Sequence, residues 1–131
     1  MEAASEGACS AGGSVVAVGL RAWGKPNKYA LQYRTARTLH ARQQHLIEGA
    51  EAYTVYQGGP GTLAELTLIW SMMQSRLMVR RPLILIGVQW RFVIDAWRAN
   101  LQVSSDDLKL LMNVDIYSEV LPRLLAWDVQ E

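Results

Sequence analysis

Residues 52–65 read Ala-Tyr-Thr-Val-Tyr-Gln-Gly-Gly-Pro-Gly-Thr-Leu-Ala-Glu. The apolar run Ala52 to Tyr56 suits a buried strand, and the periodic apolar segment that begins at Leu63 suits a helix, so the glycines stand where a strand turns into a helix. Glycine lets backbone come close to a ligand. The first amides of a helix lack intrahelical acceptors and present positive dipole to any anion placed there. Gly58, Gly59, Gly61 and Thr62 are therefore candidate phosphate-binding residues, although an ordinary strand-to-helix turn draws on the same residue types. No Lys-Ser/Thr pair follows and the glycine spacing is not that of a Walker loop, which favours a mononucleotide or a sugar phosphate over ATP hydrolysis.

Working outward, strands and helices alternate. Met1 to Ala11 predicts a helix stopped by Gly12-Gly13, Ser14 to Leu20 a β-branched strand, and Gly24, Pro26 and Asn27 a loop. A helix is expected from about Gln32 to Glu48, with Ala36, Leu39, Leu46, Ile47 and Ala50 on one face. After the glycine turn, Leu63, Leu66, Trp70, Met73 and Leu77 recur at helical spacing as a buried stripe. Pro82 opens Leu83 to Gly87, a continuous apolar run expected of a strand covered on both faces. Trp90, Val93, Ile94, Trp97 and Leu101 mark a further amphipathic helix. Ser104 or Ser105 caps a short one, Leu111 to Ile116 is a last strand, and Tyr117 to Ala126 a closing helix. This order predicts one α/β domain over 1–131, a Rossmann-like open parallel sheet with helices on both faces and the ligand at the carboxyl ends of its strands.

Composition narrows the function classes. Half the 131 residues are hydrophobic and 19% are charged, which excludes a disordered chain, and the apolar runs are too short to span a bilayer. A soluble protein is expected, with no membrane partner. The single Cys9 excludes an internal disulfide framework and a cysteine-rich metal site, so a reducing cytoplasmic compartment is expected, and the Glu-containing start does not read as a secretory leader. Net charge is +1, yet Ser14 to Ile47 holds six basic residues (Arg21, Lys25, Lys28, Arg34, Arg37, Arg42) and no acidic one. That bias suits an anionic small molecule or a solvated basic surface; without a basic stripe interleaved with aromatics, nucleic acid is not expected. His40 and His45 are five apart, off the spacing that sets two ligands on one helical face, and read as surface or packing residues with no metal implied. Trp70, Trp90 and Trp97 fall on helical stripes and read as core or interface, with a base-stacking role open to one of them.

Gly58, Gly59, Gly61, Thr62 and Glu65 match the pattern Pro-Gly-Gly-x-Gly-Thr-x-x-Glu, with Gln57 at the proline, and Arg42-Gln43 stands where that pattern is preceded by an Arg-Lys pair. In these residues the chain resembles the Lonely Guy family, cytokinin riboside 5′-monophosphate phosphoribohydrolases often labelled lysine decarboxylase-like. The resemblance extends over nearly the whole chain, with Asn27-Lys28-Tyr29 similar to the longer bacterial type. Family members begin with a strand and a Gly-Gly-x-x-Gly-Leu-Met turn; the resemblance implies that Met1 is the Met of that turn, leaving an N-terminally shortened fold without the first strand and glycine loop.

The resemblance implies hydrolysis of the N-glycosidic bond of a nucleoside 5′-monophosphate to free base and ribose 5-phosphate, with no cofactor. Glu65 would stabilise an oxocarbenium-like sugar and align water, Arg42 would hold phosphate or sugar oxygens or assist the departing base, and the glycine turn would bind phosphate. A non-catalytic nucleotide or molybdenum-cofactor carrier of the same superfamily is the alternative. A homodimer is also implied, with Trp70, Met72, Met73 and Leu77 as contact surface. Each key side chain has a structural role competing for it. Thr62 and Glu65 have capping-box spacing, and the Arg42 stem could cover core beside Leu39 and Leu46.

Overall fold

The computed structural model describes residues 2–127, and the chain forms two compact units, Met1–Gly49 and Ala50–Glu131. In the first unit, helix α1 (Glu2–Ser10) ends as its glycines require. Gly12 adopts φ 80°, Gly13 N–H donates to the Ala8 carbonyl at 2.8 Å, and Gly12 N–H donates to the Cys9 carbonyl at 2.9 Å, the paired bonds of a Schellman stop. Strands β1 (Val16–Leu20) and β2 (Gln32–Ala36) then pair in parallel, from Val16 opposite Gln32 to Leu20 opposite Ala36. Gly19 has a packing reason: a Cβ there would come within about 3 Å of the Tyr33 ring, whose hydroxyl donates to the Leu20 carbonyl at 3.3 Å.

The expected helix over Gln32 to Glu48 is therefore corrected to a strand followed by α2 (Leu39–Ile47). Two local facts divide it. Gln32 to Ala36 contains Tyr33 and Thr35, which favour extended backbone, and the Thr38 side chain accepts the Ala41 amide at 3.2 Å, starting the helix only there. Ala36 is buried as expected, but from the strand rather than from a helical face.

The second unit alternates β3 (Tyr53–Val55), α3 (Pro60–Gln74), β4 (Leu83–Ile86), α4 (Gln89–Asn100), α5 (Ser105–Lys109), β5 (Met112–Val114) and α6 (Val120–Leu125), the last entered through a 3₁₀ turn at Tyr117–Glu119. Its sheet has the order β3-β4-β5, all parallel. All four residues of β4 are buried, the burial that its uninterrupted apolar run predicts for a strand covered on both faces. Ile84 and Ile86 join Val114 in a cluster against Val120 and Leu124 of α6; Leu83 and Leu85 point to the other face. Leu66 and Met73 of α3 are fully buried, and Trp70 stacks on Trp97 with ring centroids 5.3 Å apart and donates its indole N–H to the Asp107 carbonyl at 2.8 Å.

Mixed α/β structure with parallel sheets makes the fold Rossmann-like. The α3 stripe is shorter than its spacing suggests: the helix stops at Gln74, leaving Leu77 beyond it and 76% exposed. Ser104 caps α5 as expected, exchanging bonds of 3.0 Å with Asp107 in both directions. Among the described residues no helix is long and apolar enough to cross a membrane.

Candidate functional site

The carboxyl end of β3 leads through exposed Tyr56, Gln57, Gly58 and Gly59 into α3. Pro60 takes the first helical position, where its fixed φ and missing N–H cost nothing, and Gly59 is the N-cap. The first bond of the helix is Leu63 N–H to the Gly59 carbonyl, at 3.1 Å. The amides of Gly59, Gly61 and Thr62 therefore have no acceptor inside the helix, while Pro60 has no amide hydrogen to offer. The positive end of this 15-residue helix therefore presents three such donors, two on exposed glycines and one on half-buried Thr62. The Thr62 side chain packs over Gly58: a Cβ at Gly58 would lie 2.7 Å from Thr62 Cβ and closer still to Oγ1, so this position has room for glycine alone.

This start corrects the capping-box reading of Thr62 and Glu65. Thr62 is the third residue inside the helix rather than its cap, and no side chain caps Gly59. Glu65 lies one turn further on, half-buried like Thr62 and next to the buried stripe of Leu66, Ile69, Trp70 and Met73. Thr62 and Glu65 thus share one side of α3, with the glycine amides at its tip.

The neighbouring strand ends are closed by their own hydrogen bonds. Gly87 N–H donates to the Val114 carbonyl at 2.8 Å, and Asn113 Nδ2 donates to the carbonyls of Leu85 at 2.9 Å and Gly87 at 3.0 Å. Asp115 pairs with Arg91 at 2.6 Å, and its amide donates to Glu119 at 2.8 Å. An open cleft of about 480 Å³ lies at the opposite, amino ends of β3 and β4, lined by Ala52, Pro82, Arg80, Arg81, Leu124 and Trp127, and its lining includes none of the expected site residues.

Arg42 belongs to the first unit, in the opening turn of α2. It is half-buried; its Nε donates to the Val18 carbonyl of β1 at 3.2 Å, and its guanidinium lies over the Trp23 ring, 4.9 Å from the centroid. The head of Arg42 is thus specifically anchored, whereas Leu39, beside which its stem was expected to cover core, is 56% exposed. Gly58, Gly59, Gly61, Thr62 and Glu65 are gathered in the second unit, on the loop before α3 and its first two turns. Trp23 was missed by sequence reasoning, although a tryptophan directly after a strand and off every apolar stripe is a readable signal. Of the other tryptophans, Trp70 and Trp90 are buried and Trp97 is stacked on Trp70, in keeping with core roles. His40 is exposed and His45 half-buried. The contact surface expected of Trp70, Met72, Met73 and Leu77 is corrected: Trp70 and Met73 are buried in the chain's own core, leaving Leu77 exposed and Met72 partly so.

Compared with known proteins, residues 1–124 match the family model described as "Possible lysine decarboxylase". No curated protein matches the chain.

Proposed function

The chain belongs to the possible lysine decarboxylase family, which includes the Lonely Guy proteins, and from that premise we propose that it is a nucleoside 5′-monophosphate phosphoribohydrolase. The observation that carries this reading is the opening of α3. Three amides without intrahelical acceptors suit a phosphate, and the Glu65 carboxylate stands one turn behind them. Departure of a base from a sugar leaves positive charge on C1′ and its ring oxygen, and a fixed carboxylate is the group that stabilises it.

In the proposed reaction the C1′–N bond breaks with its electron pair leaving on the base. Water adds to C1′, Glu65 accepts the proton of that water, and that proton passes on to the base nitrogen, directly or through solvent, which restores the carboxylate. Free base and ribose 5-phosphate result, and no metal or cofactor enters the scheme. Arg42 is assigned the binding of phosphate or sugar oxygens, or of the departing base, as a guanidinium with a planar fork of donors can do. The second reading, a nucleotide or molybdenum-cofactor carrier, draws on Gln43 and Gln57, which replace the lysine and proline of the family pattern. A cytoplasmic location suits the lone cysteine, Cys9, and a homodimer is proposed as the working assembly.

The test is incubation with AMP and with N6-prenylated AMP, followed by chromatography for free base. Release is expected from the wild type, and Glu65→Gln should lower it at least about 100-fold. Undiminished release by Glu65→Gln would remove Glu65 from the chemistry. Tight nucleotide binding with no release would favour the carrier.

A further inference from the structure

Trp23 and Arg42 meet within the first unit, each from a segment that follows a strand. Trp23 ends the 3₁₀ turn Arg21–Trp23 directly after β1, and Arg42 lies in the opening turn of α2 after β2, so both belong to the carboxyl end of this parallel pair. Ligands of open α/β sheets bind at that end. Two contacts within the unit help to hold the guanidinium. The indole face lies 4.9 Å below it, and the Val18 carbonyl of β1 accepts its Nε–H at 3.2 Å. One contact sets the plane of the fork and the other its rotation within that plane.

Trp23 is 56% exposed, so little of its area serves the core, unlike that of Trp70 and Trp90. Its ring narrows the orientations open to the Arg42 guanidinium, an ordering that a ligand then need not supply. We propose that Trp23 is a positioning residue: by stacking on Arg42 it holds the guanidinium preorganised for an anionic oxygen of the nucleoside monophosphate. This rests on the role assigned to Arg42 above. No group is transferred in this step, and Trp23 acts through Arg42 alone.

The experiment is a double-mutant cycle on the full chain, read by calorimetric AMP binding and by base release in wild type, Trp23→Ala, Trp23→Phe, Arg42→Ala and the Trp23→Ala/Arg42→Ala double variant. Trp23→Ala is expected to weaken AMP binding and lower kcat/KM about threefold to fivefold. Trp23→Phe, which keeps a ring face, should recover most of that loss. In the Arg42→Ala background Trp23→Ala should have no further effect. A merely structural tryptophan would weaken both backgrounds equally; that result, equal damage by Phe and Ala, no effect of Trp23→Ala, or no AMP binding by the wild type would overturn the proposal. AMP binding without base release would instead remove the hydrolase reading, while the binding cycle still decides the role of Trp23.

Discussion

Tyr29 carries a titration that its neighbours dictate. The Glu6 carboxylate accepts a hydrogen bond from its hydroxyl and, helped by lost hydration and the nearby negative charges, pushes the phenol up from 10.0 to about 12. The fold favours the protonated hydroxyl, so the contribution to stability is complete below the unfolded value near 10 and disappears as pH rises through about 12. Tyrosine ring signals followed by NMR should include one midpoint near 12, and Glu6→Gln should return it toward 10.0; a wild-type midpoint for Tyr29 of 10.0 would contradict the bond. Residues also differ in how far their roles could be read from the chain alone. The strand-to-helix turn at Gly58, Gly59, Gly61 and Thr62 was legible because the backbone demands of a helix opening are local. The cap was misplaced by three residues because Thr62-x-x-Glu65 fits a capping box as well as it fits an interior turn, and Pro60 at the first helical position decides between them. Trp23 gave no such clue to its partner, since Arg42 reaches it from another element.

Elements were legible where their patterns ran uninterrupted. The apolar run of β4 and the glycine stop of α1 stand where the chain said, because burial on both faces and left-handed backbone each demand particular residues. The segment before α2 misled: Ala36 continues the helical spacing of Leu39 and Ile47 while belonging to a strand, and pairing with β1 is a non-local fact. The end of α3 was hidden for a related reason. Arg76 occupies the left-handed region at φ 58° where glycine is usual, with Leu77 N–H closing onto the Met72 carbonyl at 2.8 Å. A side chain there costs about 1 kcal/mol or more, part of which glycine returns through the freer unfolded chain. Arg76→Gly should therefore stabilise the protein by about 0.5 kcal/mol, seen as a higher urea midpoint at unchanged slope; a lower midpoint would mean that the arginine side chain makes contacts outweighing its strain.

For the molecule as a whole, the surface argues for company. Large apolar side chains stand in water at Leu77, Phe92, Tyr117 and Leu125, the last 79% exposed. Single exposed hydrophobes are ordinary, but several on so short a chain are the surface that association would cover. The stripe once read as contact surface explains the arithmetic. Trp70 and Met73 already serve the core, so Leu77, past the helix end, is the most exposed member of that set and the one first tested as part of the proposed interface. The homodimer proposed above then has a definite weak point. Light scattering of the wild type should give twice the 14.7 kDa of one chain, and Leu77→Glu, which adds a charge at an exposed site without touching the core, should shift the population toward a 14.7 kDa species. A wild type of 14.7 kDa at every concentration removes the dimer; a dimer indifferent to Leu77→Glu moves its interface to another of the exposed apolar residues.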